Sequence, residues 1–257
     1  MKKILALMLA AVMLTAFAAC GNGTENKETS PTETQETEST SQAQTEDAVI
    51  TGGFTVCTDN APAKLPDDVK KAFDSATAEY TGMEFTPVAY LGSQVVAGTN
   101  YAILCLGKAV VPGAVAALKT VVIYEDLSKK ATITEVEDFD LADFTSNDDN
   151  DDDDDDAEEL SGGWTVNTEF NDVVLSDDVK ALCDEVLSGV MGTSYQPVAC
   201  LGTQVVAGTN YAVLCLANSP AAETNPDSLR VVTIYSGVSG EHEILSTVTL
   251  DLAEITD

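Results

Sequence analysis

The chain repeats itself once. Gly52-Gly53-Phe54-Thr55-Val56 returns as Gly162-Gly163-Trp164-Thr165-Val166, and the copies then align without a gap as far as Leu106 and Leu216, with 29 identities over 55 positions. The longest unbroken match runs from Gln94 to Ala102 and from Gln204 to Ala212. After a slip of one residue, Ile123-Tyr124 matches Ile234-Tyr235, and Asp140-Leu141-Ala142 matches Asp251-Leu252-Ala253. Each copy has the length of a small domain, and two copies are too few to stack as a solenoid. Tandem domains are therefore expected over 50–145 and 161–257.

Two segments outside the copies are polar throughout. Residues 20–49 are Thr, Glu, Ser and Gln with almost nothing apolar, and residues 146–160 are dominated by Asp. Neither can bury enough surface to offset chain entropy, so the first reads as a tether and the second as an extended, self-repelling linker. Calcium binding by the Asp run is disfavoured, because it lacks the glycine-turned loop and spaced terminal Glu that hold the ion. With 43 Asp+Glu against 12 Lys+Arg the formal net charge is -31, which repels phosphates and argues against nucleic acid as a partner. The single histidine, His242, rules out a His-rich metal site, and neither metal nor cofactor is expected. Hydrophobic residues at 44% still provide matter for a core.

The first 19 residues read as a targeting segment: Lys2 and Lys3, an apolar run from Ile4 to Phe17, then Phe17-Ala18-Ala19-Cys20. The last four resemble the lipobox of bacterial lipoproteins. That resemblance implies lipidation of Cys20 and export to the outer face of a bacterial cell membrane, with two or more acyl chains for a stable anchor.

Each copy reads as one helix followed by strands. Pro66, Asp67 and Asp68 suit a helix start, Val69, Ala72, Phe73, Ala76 and Tyr80 recur at helical spacing, and Gly82 can stop it. In the second copy Ser176 is the better cap, Val179, Leu182, Cys183, Val186 and Val190 form the stripe, and Gly192 follows. Phe54 to Thr58, Glu84 to Ser93, Gly98 to Leu106, Leu118 to Leu127 and Ala131 to Phe139 read as strands. The expected class is α+β: an antiparallel β-sheet wrapped around one α-helix, two copies in tandem.

Gln94-Val95-Val96-Ala97-Gly98-Thr99-Asn100-Tyr101 and its copy from Gln204 to Tyr211 resemble the Gln-x-Val-x-Gly signature of the cystatins. These are reversible inhibitors of papain-like cysteine peptidases. Gly52-Gly53 and Gly162-Gly163 resemble the glycines that end the cystatin inhibitory trunk, with Ile50-Thr51 and Leu160-Ser161 as the trunk itself. The resemblance implies that Gln94, Val95, Val96, Ala97 and Gly98, and likewise Gln204, Val205, Val206, Ala207 and Gly208, form a hairpin tip that wedges into the active-site cleft. The glycines would turn the chain away before a peptide bond reaches the catalytic thiolate. The second cystatin hairpin would fall at Leu127 and at Val238, where neither copy has the family's Pro or Trp. Lys129 and Lys130 in one copy against Glu241 and Glu243 in the other suggest different preferred enzymes. The implied partners are papain-like peptidases and, through Cys20, the membrane, with the chain as a monomer that performs no chemistry itself.

The alternative is a noncatalytic cell-surface module that presents the same hairpins to another protein or peptide. An enzyme built on Cys215 and His242 is a weaker rival, since the first copy has no histidine. Cys105 and Cys215 should face the helix as small buried hydrophobes, and Cys183 could meet Cys215. Pairing among Cys57, Cys105, Cys183, Cys200 and Cys215 is left open by the sequence.

Overall fold

The computed structural model describes residues 53–58, 64–144, 163–170, 175–221 and 227–253. The targeting segment, Cys20, the tether, Gly52, the Asp-rich linker and Gly162 lie outside these residues.

The first half runs β1 (Phe54–Val56), α1 (Asp67–Glu79), β2 (Met83–Val96), β3 (Gly98–Ala109), β4 (Ala117–Asp126) and β5 (Ala131–Asp138), closed by a 3-10 turn at Leu141–Phe144. The second runs β6 (Thr165–Val166), α2 (Asp177–Leu187), β7 (Ser194–Val206), β8 (Gly208–Asn218), β9 (Asp227–Gly237) and β10 (His242–Thr249). Each half forms a five-stranded sheet in chain order, β1-β2-β3-β4-β5 and β6-β7-β8-β9-β10, with every pairing antiparallel.

The expected α+β class is corrected. Strands take up 53% of the described residues against 17% for helices, in two five-stranded antiparallel sheets with two α-helices among them, so the molecule is mostly β and not a pair of sheets each wrapped around a helix. The physical reason lies in the strands, which bury both faces. On β3, Tyr101, Ile103 and Cys105 pack with Val69, Ala72, Phe73 and Ala76 of α1. The intervening Ala102, Leu104 and Leu106 share one apolar core with Ala212, Leu214 and Leu216 of β8. Val213 and Cys215 on the opposite face of β8 pack with Val179, Cys183 and Leu187 of α2. The sheets thus lie against each other, each with its helix on the outer face, and the described residues of both halves belong to one compact unit.

The halves also clasp each other reciprocally. A Cβ on Gly202 would stand 2.6 Å from Leu141 Cδ1, and one on the matching Gly92 would stand 3.0 Å from Leu252 Cδ1. Each half therefore sends the leucine after its last strand onto a glycine in the other half's sheet, where any side chain would hold the two apart. Ser246 Oγ donates to the Phe144 carbonyl at 3.2 Å, and Phe139 stacks on Phe144 with ring centroids 4.5 Å apart.

Both helices form where expected. Asp67 and Asp68 occupy the first turn of α1, and the Ser176 hydroxyl accepts from the Val179 amide at 3.3 Å at the start of α2. Their ends come earlier than the apolar stripes suggest. Tyr80 is already extended at the C-cap of α1 and lies edge-on against Phe85, while Leu187, not Val190, is the last buried residue of α2. Gly82 and Gly192 then take positive φ, 96° and 85°, to turn the chain into the sheet.

Candidate functional site

Pairing of Val96 with Gly98 and of Val206 with Gly208 leaves Ala97 and Ala207 alone at the apex of their hairpins. So tight a reversal needs a residue free of steric restriction. Gly98 has φ 142° and Gly208 has φ 158°, and a Cβ on either would run into the carbonyl of Glu125 or of Ser236 respectively. Two rungs in, Asn100 Nδ2 donates to Gln94 Oε1 at 2.7 Å and Asn210 Nδ2 to Gln204 Oε1 at 2.8 Å. The Gln and Asn of the repeated run thus brace the tip from the side.

The sheet register brings the other expected segments to the same end. Gly98 pairs with Asp126 and Gly208 with Gly237, so the turns carrying Leu127 and Val238 stand beside the tips. Phe54 pairs with Gln94, which puts the chain entering from Gly53 beside the first tip. Thr165 pairs with Thr203, so Gly163 approaches the second tip in the same way. The apolar side chains at this end have no core to enter: Val95 is 47% exposed, Val96 44%, Val205 72%, Leu127 84% and Val238 88%.

The two second hairpins are built differently. The Asp126 carboxylate accepts from the Ser128 hydroxyl at 2.6 Å and from the amides of Ser128 and Lys130 at 2.7 and 3.0 Å. The Ser128 hydroxyl, then the Lys130 amide, hold that carboxyl below the usual range. Lys129 has φ 68°, and its Nζ donates to Glu125 Oε2 at 2.8 Å, which raises its pKa above the usual value for a lysine. In the second copy Gly240 takes the left-handed position with φ 88°, and Glu241 folds over Gly237 where a Cβ would stand.

Cys105, Cys183, Cys200 and Cys215 are free thiols, and they and Cys57 are buried. Burial drives the Cys105 and Cys215 thiols well above the ordinary range, and pushes Cys183 up to about 12 and Cys200 to about 11. Cys183, Cys200 and Cys215 share one buried cluster beneath α2. Cys215 and His242 do not meet. Cys215 pairs with Arg230 and His242 with Ser236, positions separated by roughly 20 Å along β9 at the usual strand rise. Among the described residues no helix is long and apolar enough to cross a membrane, and no group of three or more His, Cys, Asp or Glu could hold a metal ion.

Two contributors to this end of the molecule, Tyr124 and Tyr235, are not apparent from local sequence pattern. They are matched residues in β4 and β9, but their reach to the tips depends on strand register. Comparison with protein-family models and with curated proteins finds no match to this chain.

Proposed function

We propose that the chain is a reversible inhibitor of papain-like cysteine peptidases, with one inhibitory end on each half. The observation that carries the reading is the grouping of exposed apolar residues at the same end of both sheets, on tips too tight for anything but glycine at Gly98 and Gly208. In the first half Val95, Val96 and Leu127 form the group, and in the second Val205 and Val238. A narrow apolar wedge of this kind would fill a substrate cleft and exclude the substrate. Its backbone, closed in a hairpin and braced by Gln94–Asn100 or Gln204–Asn210, would not adopt the geometry that attack on a carbonyl requires. The chain segment ahead of Gly53 or Gly163 would lie in the adjacent subsites, and Leu127 or Val238 would add a smaller contact beside it. Cys20 would anchor the protein at the outer face of the cell membrane.

The test is stoichiometric inhibition of papain by the full chain, tip by tip. Val95→Asp is the informative variant, because Val95 is half-exposed and a carboxylate there leaves the fold alone while placing a charge in a desolvated contact. Loss of one anchor of this kind should weaken the first end by about 2 kcal/mol or more, and Val205→Asp the second. Gly98→Trp is less clean, since its Cβ meets the Glu125 carbonyl and would disturb the hairpin itself. No inhibition by the wild-type chain across a panel of papain-like enzymes would refute the reading. If the chain binds a peptidase without protecting its active-site thiol from a small alkylating reagent, the noncatalytic binding module takes its place.

A further inference from the structure

The tip carbonyls have a partner far away in the chain. Tyr124 Oη donates to the Ala97 carbonyl at 2.7 Å, and Tyr235 Oη donates to the Ala207 carbonyl at 2.9 Å. The same bond therefore occurs in both halves, from β4 onto the first tip and from β9 onto the second. The rings lie over the neighbouring glycines: a Cβ on Gly98 would stand 2.8 Å from Tyr124 Cε2, and one on Gly208 would stand 2.8 Å from Tyr235 Cε2. Glycine at the tip thus serves the ring as well as the turn.

Ala97 and Ala207 sit at the apex, between the residues that close each hairpin. Without a side-chain donor the apical carbonyl would face water and pivot with the torsions around it. A phenol fixed in the next strand removes that freedom before any partner arrives, and ordering already present in the free protein need not be supplied on binding. Together with the Gln–Asn brace, the phenol closes the tip from two directions.

We propose that Tyr124 and Tyr235 are positioning residues that lock the apical carbonyls of the two tips and so present each as a rigid wedge. Their role in binding rests on the inhibitory reading above. Their effect on the tip itself does not.

The experiment compares the full chain with its Tyr124→Phe and Tyr235→Phe variants, which keep the rings and remove only the hydroxyls. In the free protein, backbone NMR relaxation should show added fast motion at residues 96–98 in the first variant and 206–208 in the second, with the rest of each sheet unchanged. Inhibition of papain by the affected end should weaken roughly five- to tenfold, the worth of one neutral hydrogen bond, and the melting temperature should fall by no more than the same bond accounts for, about 2–4 °C. Unchanged tip dynamics in both variants would overturn the lock even if the wild-type chain inhibits. A larger fall in melting temperature, with added motion spread through the sheet instead of confined to the tip, would also overturn it, by reducing the tyrosines to general support. If the wild-type chain inhibits nothing, the function falls while the relaxation data still decide the lock.

Discussion

The two halves carry nearly the same tip over different packing beneath the helix. Phe73 of α1 and Tyr90 of β2 fill the space under the first helix, with Ala72 and Ala76 beside them. The matching residues of the second half are Cys183, Cys200, Leu182 and Val186. Volume has moved from two rings toward aliphatic neighbours, and open surface clefts border the site. A cleft of about 450 Å³ borders Cys183, and another of about 460 Å³ borders Cys200. The side of each sheet facing the other half changed less, with Ala102, Leu104 and Leu106 answered by Ala212, Leu214 and Leu216. Two copies that must meet each other keep matching faces there, whereas each helix has only its own sheet to satisfy.

Separating the halves should have the largest effect. Residues 50–145 or 161–257 alone would expose Leu104 or Leu214 with the rest of the shared face, and each exposed leucine forfeits roughly 2 kcal/mol of burial. Either fragment is expected to lose its cooperative thermal transition or to associate with a second copy through that face. Light scattering coupled to size exclusion reads this directly. A monomeric fragment that melts where the full chain does would show that the shared core contributes little.

Exchanging the residues beneath the helices tests the contrast itself. Phe73→Cys leaves a void under α1 and should cost about 3–4 kcal/mol, measured by urea denaturation. Cys183→Phe has a cleft beside it, but Leu182 and Val186 already occupy part of the released volume, so overpacking should cost about 1–3 kcal/mol. Adding Leu182→Ala and Val186→Ala to Cys183→Phe should recover most of that loss. Equal and additive costs in the two halves would mean that these sites do not compensate one another.

Much of this was legible from residues. Val69, Ala72, Phe73 and Ala76 at helical spacing place α1, Ser176 caps α2, and the match of Gln94–Ala102 to Gln204–Ala212 marks the tips. The sheet-on-sheet contact was not read, although Tyr101-Ala102-Ile103-Leu104-Cys105-Leu106 carried its signal. A strand with one wet face alternates, and this one is apolar throughout because both faces are covered. The contact of Tyr124 with Ala97 was beyond reach for a different reason. It spans 27 residues and exists only in the register that pairs Gly98 with Asp126, which hydrophobic pattern alone does not specify.

The smallest expected difference between the halves lies in alkaline solution. A thiol titrates near pH 9 in the unfolded chain, but burial pushes Cys200 up to about 11 and Cys183 to about 12 in the folded one, with the Cys215 thiol raised as well. Above pH 9 the unfolded state has therefore released protons that the folded state retains. Stability is fully present below that pH and falls as pH rises from 9 through 11 and 12. The first half contributes Cys105 in the same sense, and Tyr90, whose raised value starts from 10. Urea denaturation at pH 8, 9 and 10 should show a decline that Cys183→Ala with Cys200→Ala flattens more than Cys105→Ala does. Parallel pH curves for the wild type and the double variant would remove the thiols beneath α2 from any part in alkaline unfolding.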